Sequence, residues 1–546
     1  MQDWNFNFLN MMKMKAKYFK PVSFVMVAAM VAVTSCLKDL DTVPIDPLVV
    51  TSATVYKDTT AYRQVLAKCY AGLALSGQQG PHGNPDISGI DEGFSQYLRQ
   101  FWLAQELPTD EAVIAWNDGT LKDYHFQTWT SGGEFIKALY NRIYYQISLC
   151  NEFIRECAPS QLNERNFTAA DKATIERYRS EARFLRALSY YHAIDLFGNV
   201  PFVDENNKVG AFLPQQISRA DLFTYLENEL LDIEGKLKSP KTNEYGRADQ
   251  AAAWMLLAKL YLNAKVYINT DKYTEALTWI KKVTASPYSI EPNYAHLFLA
   301  DNNLCNEIIF PIAFDGISTR TWGGTTFIVN AAVGGSMVPS EFGIGGGWGG
   351  TRTTPQFVDK FPDVTGATDK RAMFHTSGQS KSISDIFLFT DGYAIKKWKN
   401  VTRAGTPGKD PTHPDTDFPV FRLADAYLMY AEAVLRGGTG GDLTTALNYV
   451  NALRQRAYGN TSGNITSGEL NLDFILDERA RELYWECHRR TDLIRFGKFS
   501  NTTYLWEWKG GVKAGASTSS HLNLFPIPAT DVAANPNLTQ NPGYTN

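Results

Sequence analysis

Four segments with apolar residues spaced three and four apart constrain the fold of this chain more than any other feature. They occupy residues 175–197, 248–288, 421–457 and 472–496, and long connections rich in Gly, Pro and Asn separate them. This spacing places apolar side chains on one face of an α-helix, and Gly or Pro in the connections stops each helix. The sequence therefore predicts a mainly α-helical scaffold.

The second segment resembles a tetratricopeptide repeat, which is a pair of antiparallel helices. Trp254 and Ala258 fit its first helix, Ala276 its second, and Pro287 its exit. Small alanines let two helices approach closely while large rings fill the groove between them. The third segment repeats this pattern, although both turns are irregular, and helix pairs are predicted at both places.

The mid-chain segment 308–393 differs in character from the helical segments. It contains the runs GGTTFIVNAAVGG and GIGGGWGG, which are typical of loops with short strands. Loops of this length in a compact protein are usually functional or disordered, and the Trp and Phe content here favours function. The glycines around Trp348 lack the Lys and Ser/Thr of a phosphate loop and predict a flexible frame for the indole.

The N-terminus predicts export. A lysine-rich stretch precedes the apolar run 24–33, and Thr34, Ser35 and Cys36 follow this run. The run is shorter than the roughly 20 residues that span a bilayer. The small residues before Cys36 resemble a bacterial lipobox, so residues 1–35 are expected to be removed and residues 36–60 to form a lipidated tether. Ordinary cleavage near Ser35, which would leave Cys36 free, is the alternative.

Composition excludes several other classes of function. The formal charge is -4, and no basic block follows the N-terminal signal, which argues against nucleic-acid binding. The six cysteines form no CxxC motif, and the eight histidines have no metal-ligand spacing. No EF-hand spacing is present either. The sequence therefore predicts neither a metal ion nor a cofactor.

No catalytic motif of adequate specificity is present. The chain has no HExxH, GxSxG or Walker A motif and no GxGxxG after a strand. A glycosidase with two distant carboxylates stays open, since only their separation in space defines it. Asp110, Glu111 and Asp118 lie near Trp116 in sequence, but acids in a polar loop are ordinary. We therefore expect a protein without enzymatic activity.

Tryptophans in predicted loops are the remaining chemical signal. They are Trp116, Trp129, Trp322 and Trp348. An indole face can stack on the C–H face of a pyranose while neighbouring polar groups bind the hydroxyls. The alternative is that each ring fills a gap in the core, and this alternative is stronger for Trp129.

Several segments together resemble the SusD-like (SusD/RagB) family. They are SEARFLRALSYYHAIDLFGNVPFV, RADQAAAWMLLAKLYL, FRLADAYLMYAEAVL, ERARELYWECHRRTDLIRFGKF and LFPIPATDVAANPNLTQNPGY, in addition to the lipobox at Cys36. Their order and spacing extend over nearly the whole chain after the signal.

This resemblance implies tetratricopeptide-like helix pairs that form a right-handed superhelical scaffold, packed with a loop-rich half containing short strands. Residues 61–546 would form a single domain, with helical repeats at about 134–290 and 421–499 and a ligand-binding insertion at about 300–420. It also implies a lipid-anchored protein on the outside of a Gram-negative outer membrane.

The function that the resemblance implies is capture of an oligosaccharide or polysaccharide, without cleavage, as the lid of a SusC-like TonB-dependent transporter. Transferred by position, the candidate glycan-binding residues are Trp116, Asn117, Arg320, Trp322 and Trp348. Peptide capture by a similar lid and a protein-only adaptor are the alternatives.

Charged residues of the helical motifs are expected to be scaffold. We predict that they form ion pairs and caps between helices: Glu181, Arg186, Glu432, Glu482, Arg489, Arg490, Asp492 and Arg495.

Overall fold

The computed structural model describes residues 52–81, 83–207, 210 and 212–545. It divides into an N-terminal unit that ends at Lys57 and a main body that begins at Asp58. The predicted signal peptide, Cys36 and the first part of the tether lie outside the described residues. The described part of the N-terminal unit contains one short helix, α1 (Ser52–Val55).

Helices make up most of the regular structure of the main body. In its first half they are α2 (Thr59–Ala74), α3 (Tyr97–Glu106), α4 (Leu121–Phe126), α5 (Glu134–Glu156), α6 (Pro159–Glu164), α7 (Ala169–Leu196), α8 (Arg219–Ile233), α9 (Gln250–Leu262), α10 (Ala264–Ile268) and α11 (Tyr273–Thr284). In its second half they are α12 (Gly324–Ala331), α13 (Pro355–Val358), α14 (Leu423–Leu435), α15 (Leu443–Tyr458), α16 (Leu472–Leu483), α17 (Arg489–Arg495) and α18 (Ala529–Ala534). Among the helices described, none is both long and apolar enough to cross a membrane.

The strands are short and pair two by two, always antiparallel. They are β1 (Val113–Ile114), β2 (Val200–Pro201), β3 (Gln216–Ile217), β4 (Ile308–Ile312), β5 (Thr351–Arg352), β6 (Phe374–His375), β7 (Ala394–Ile395) and β8 (Phe418–Arg422). The pairs are β1 with β5, β2 with β3, β4 with β8 and β6 with β7. The mainly α-helical fold class with short strands is thus confirmed.

The predicted helix pairs are present. Helix α9 packs along α11, α11 packs on α14, and α14 packs along α15. The alanines that permit this approach, Ala258 and Ala276, are fully buried. The right-handed superhelix stays a prediction. Helices α2 and α3 lie outside the four segments that the sequence pattern singled out.

Two segments differ from the sequence expectation. The fourth segment is not one helix, because the chain leaves α16 at Tyr484 and resumes only at α17. Between them Trp485 and Cys487 adopt positive φ angles of 60° and 65°. In addition, the run GGTTFIVNAAVGG, expected as loop or strand, contains α12. All eight residues of that helix are buried, so tertiary packing overrides the strand preference of its β-branched residues.

A buried ionic network joins the helical and loop-rich parts. Glu482 on α16 accepts hydrogen bonds from Arg422 at 2.6 Å, from Arg371 at 3.1 Å and from Arg456. Arg422 and Arg456 each also bind Glu307 at 2.8 Å. Burial raises the pKa of Glu482, but the three guanidinium groups outweigh it and lower that pKa to about 2. Glu482 is therefore a carboxylate at neutral pH.

The ion pairs predicted for the charged helical residues are present, although three of their partners, Arg247, Asp110 and Arg422, lie in loops or in a strand and not in helices. Each of the eight residues named above forms an ion pair, and most of these pairs are buried: Glu181–Arg247, Arg186–Glu229, Glu432–Arg495, Glu482–Arg422, Arg489–Asp110, Arg490–Asp195 and Asp492–Arg479.

Two buried carboxyl groups hold the break between α16 and α17. Glu106 accepts a hydrogen bond from the Cys487 amide at 2.6 Å, and Glu111 accepts one from the Trp485 amide at 3.2 Å. Burial raises the pKa of Glu106 to about 7 and that of Glu111 well above its usual value, and the neighbouring Glu106 charge raises the latter further. The pair therefore retains a proton near neutral pH.

Loss of the Glu482 charge should destabilise the main body strongly. We expect Glu482→Gln to lower the free energy of unfolding by about 3–5 kcal/mol, because three buried guanidinium groups lose their shared carboxylate. Denaturant unfolding followed by circular dichroism measures this. The control is Glu244→Gln, which removes an exposed partner of Arg63 and should cost less than about 1 kcal/mol. Equal effects of the two substitutions would contradict the role assigned to the network.

The carboxyl pair predicts a specific pH dependence. A raised folded-state pKa stabilises the fold at low pH, and this contribution is lost as pH rises from the unfolded pKa toward about 7. Glu106→Gln keeps an acceptor for the Cys487 amide and cannot ionise. The free energy of unfolding of the variant, relative to that of the unsubstituted protein, should therefore increase as the pH rises from about 5 to about 8. A difference in the free energy of unfolding between the two proteins that does not change with pH would refute the raised pKa of the carboxyl pair.

Candidate functional site

Three partly exposed tryptophans that are far apart in sequence meet in the main body. The ring centroids of Trp116 and Trp348 are 6.2 Å apart with 41° between the planes, and those of Trp348 and Trp322 are 6.0 Å apart with 55° between the planes. Each ring is half-buried. We refer to Trp116, Trp348 and Trp322 as the tryptophan arc.

Strand pairing places Trp116 beside Trp348. The Ala115 amide, just after β1, donates to the Gly350 carbonyl at 2.9 Å, just before β5. The Trp116 indole N–H donates to the Trp348 carbonyl at 3.3 Å. A Cβ on Gly350 would lie 2.8 Å from the Trp116 ring. Glycine at position 350 is therefore what lets the indole lie against the backbone.

The glycine run around Trp348 is more ordered than the flexible frame expected from its sequence. The amides of Trp348, Gly349 and Gly350 donate to carbonyls in and just after α12, at 2.8–2.9 Å. These carbonyls, at the C-terminal end of a helix, lack partners within the helix itself. The run thus serves as the C-terminal cap of α12, and this fixes the backbone that carries Trp348.

Gln96 positions Trp322. Its side-chain oxygen accepts hydrogen bonds from the amides of Arg99 at 2.8 Å and Gly324 at 2.7 Å, and its nitrogen donates to the Leu73 carbonyl at 2.6 Å. The start of α12, directly after Trp322, is thereby tied to the start of α3 and to the end of α2. Nothing in the local sequence marks Gln96 for this role.

Arg99 lies behind the arc, although the sequence pattern did not indicate it. Its guanidinium donates to the Trp322 carbonyl at 3.0 Å and lies 4.7 Å from the Phe327 ring centroid and 5.8 Å from that of Trp116. Burial lowers its pKa to about 10, with the Asp118 charge acting in the opposite direction, so it stays protonated. Asp118 is exposed.

The other two predicted site residues, Asn117 and Arg320, each lie close in sequence to one ring of the arc. Asn117, next to Trp116, is exposed, and its amide oxygen accepts a hydrogen bond from Lys122 at 3.1 Å. Arg320, two residues before Trp322, is exposed as well. Neither is brought into contact with all three rings.

His413 is buried against Trp322. Its imidazole lies 5.3 Å from the Trp322 ring centroid, and its Nδ1 is 3.1 Å from Asp410. Burial lowers the pKa of His413, and the nearby Asp410 only partly opposes this. The imidazole is therefore neutral at pH 7.

The remaining candidates belong to the core. Trp129 is 3% exposed and donates to the Tyr544 hydroxyl at 2.7 Å, as the core alternative predicted. Asp110 binds Arg489 at 2.7 Å, and both Asp110 and Glu111 are buried. They are inaccessible to a substrate, so the acids near Trp116 in sequence do not form a carboxylate pair at the arc.

This arrangement suits a ligand with alternating apolar and hydroxylated surface. Three half-buried rings with neighbouring centroids about 6 Å apart give one aromatic patch, and the exposed Asn117 and Arg320 lie close to it in sequence. Pyranose rings have this combination of C–H faces and hydroxyl groups.

Comparison with known sequences gives a consistent result. A family model described as the SusD family matches residues 384–544. The chain is also 36% identical to the starch-binding protein SusD of Bacteroides thetaiotaomicron, over 97% of this chain and 100% of that protein.

Solved structures of similar fold agree. A SusD superfamily protein from Bacteroides vulgatus superposes with a TM-score of 0.70 at 18% identity, covering 90% of this chain and 100% of that one. Surface glycan-binding protein A from Bacteroides thetaiotaomicron, solved in complex with laminarihexaose, gives a TM-score of 0.66 at 20% identity, covering 88% and 99%. At these identities the likeness concerns the fold.

Gly350→Ala should disturb the arc without unfolding the protein. The added Cβ would lie 2.8 Å from the Trp116 ring, so the indole must shift, at a cost of about 1–3 kcal/mol. We expect an altered near-ultraviolet circular dichroism spectrum with unchanged far-ultraviolet signal. The control is Gly346→Ala, whose Cβ would have no atom within 4 Å. If the two variants have the same near-ultraviolet spectrum, Trp116 does not lie against Gly350.

Proposed function

This chain belongs to the SusD family, and from that premise we propose that it is a non-catalytic, cell-surface glycan-binding protein whose ligand stacks on the tryptophan arc. The observation that carries the proposal is the meeting of Trp116, Trp348 and Trp322, with ring centroids about 6 Å apart. Residues from distant parts of the chain form one half-exposed aromatic surface, and indole faces on such a surface can stack on the C–H faces of a sugar.

The tilts between the rings favour a particular class of ligand. The planes of neighbouring rings differ by 41° and 55°, so a chain that stacks on all three rings must change direction between them. An α-linked glucan such as starch bends in this way, and the 36% identical relative is named for starch binding. We therefore propose an α-glucan as the first ligand to test. The laminarihexaose complex of a neighbour in fold makes a β-glucan the comparison ligand.

Polar groups at the edge of the arc would bind sugar hydroxyls. Asn117 and Arg320 are exposed beside the first and last rings, and Arg99 presents a fixed positive charge behind Trp116. With a few stacks of about 1 kcal/mol each beyond area burial, we expect affinity in the roughly micromolar to millimolar range. Such affinity suits capture and release.

The same proposal covers anchoring and partner. Residues 1–35 would be removed, Cys36 would carry the lipid, and residues 61–546 would act as one domain facing the exterior of a Gram-negative outer membrane. Captured glycan would be delivered beneath this lid to a SusC-like TonB-dependent transporter. Membership of the family supports each of these assignments, and co-purification with a transporter encoded nearby would test the partner.

Loss of arc rings should weaken sugar binding without loss of fold. We expect Trp116→Ala and Trp322→Ala each to weaken binding of starch by about fivefold or more, and the double variant to weaken it by about 25-fold or more, because each ring supplies one stack. Isothermal titration calorimetry and affinity gels containing starch or laminarin measure this on residues 37–546.

The matched control is Trp254→Ala, which removes a half-buried indole from the helical scaffold, where it donates to Glu234 at 2.8 Å. This variant should bind as the unsubstituted protein does. Binding by the folded double arc variant that is as strong as that of the unsubstituted protein would refute the site. Binding of peptides and of neither polysaccharide would refute the ligand class.

A further inference from the structure

A second groove lies along helix α5, and it shares no lining residue with the tryptophan arc. Its volume is about 550 Å³, within the range of ligand sites. One wall carries three tyrosines of α5, Tyr140, Tyr144 and Tyr145. The other wall includes Pro214 and Leu538. We refer to this feature as the tyrosine groove.

The tyrosine wall is preorganised. The rings of Tyr140 and Tyr144 have centroids 4.7 Å apart at 46°, and the Tyr144 hydroxyl donates to the Pro201 carbonyl at 2.8 Å. Tyr144 and Tyr145 are half-buried, so each offers part of its ring to the groove. A ligand that stacks here meets rings whose positions are already fixed, which limits the entropy lost on binding.

Carboxylates lie on both sides of these rings. Asp86 lines the groove with its side chain 2% exposed. One of its oxygens binds Lys68 at 2.8 Å, and the other, Oδ2, is 3.8 Å from Arg142 Nη1. Burial and the neighbouring Asp86 carboxylate, which also accepts a hydrogen bond from Tyr145, raise the pKa of the Tyr145 hydroxyl. Asp86 therefore helps to hold the Tyr145 ring in place at the groove.

Asp531 of α18 supplies the second carboxylate. It is half-buried beside Tyr140 and Tyr144, and its charge contributes to the raised pKa of both hydroxyls. Two carboxylates beside these tilted rings disfavour an anion and suit a neutral molecule rich in hydroxyl donors.

Several backbone carbonyls around the groove already accept hydrogen bonds and are therefore not free to bind a peptide. The carbonyls of Pro201, Val203, Leu213 and Pro214 already accept hydrogen bonds from side chains: Tyr144, Tyr190, Asn537 and Asn535, respectively. The Val203 amide donates to the Tyr190 hydroxyl at 2.9 Å. Extended peptides bind mainly through free backbone groups of this kind. The groove instead offers ring faces and carboxylates, which are the groups that recognise sugars.

We propose that the tyrosine groove is a second carbohydrate-binding site, which takes a neutral segment of the same polysaccharide that the arc binds. This inference rests on the proposed glycan-binding function. Two sites on one body let a long chain bind at both, which raises affinity for polysaccharide far more than affinity for a short oligosaccharide.

Four proteins test the inference in native gels containing starch and, in parallel, laminarin. They are the unsubstituted chain, an arc variant (Trp116→Ala with Trp348→Ala), a groove variant (Tyr144→Ala with Tyr145→Ala) and the combined variant. Asp531→Ala is a second, milder groove variant on an exposed helix that should leave the fold intact. The control is Tyr427→Ala with Tyr449→Ala. These two tyrosines stack on each other elsewhere in the main body, with ring centroids 4.1 Å apart.

We expect both groove variants to weaken retardation by polysaccharide about fivefold, the arc variant to keep weak retardation, and the combined variant to lose it. A combined variant that matches the arc variant would overturn the second site and leave the proposed function standing. An unsubstituted chain that binds neither polysaccharide would overturn both. Binding of a peptide mixture that the groove variants remove would overturn the sugar assignment.

Discussion

The carboxylate of Glu482 is the interaction on which the rest of this structure depends. Three guanidinium groups reach it from a loop, from the end of a strand and from a helix: Arg371, Arg422 and Arg456. The three elements are held together by charges that must be satisfied together, because an unpaired buried charge costs several kcal/mol. Displacing any one of these elements would leave buried charges unpaired.

Buried charge also fixes the candidate site, through a separate series of contacts. Arg489 binds Asp110 in a further buried ion pair, and the Thr354 hydroxyl donates to the Asp110 carbonyl at 2.5 Å. Asp110 lies just before β1, which leads to Trp116, and Thr354 lies just after β5, which follows Trp348. Two rings of the arc are therefore fixed by buried charge a few residues away. A binding surface held in this way needs little reorganisation when a ligand arrives.

Local pattern predicted much of the helical scaffold but little of the site geometry. Helix pairs and the scaffold role of residues such as Glu482 follow from periodicity, which a sequence carries directly. The break at Trp485 depends on Glu106 and Glu111, nearly 400 residues earlier, and α12 is helical because it is buried. The three arc tryptophans were each predicted from loop context, yet their meeting depends on the β1–β5 pairing. Arg99, Gln96 and His413 act through contacts across the chain and have no local signal.

The ionic core also shapes how the fold responds to temperature. Exposure of apolar surface raises the heat capacity of unfolding, whereas exposure of polar surface lowers it. A body that buries many arginines and carboxylates in place of apolar side chains thus has a flatter stability curve than its size implies. The cost of removing those charges from water also falls on warming. Heat should therefore weaken the contacts around Glu482 less than it weakens the apolar packing between the helix pairs.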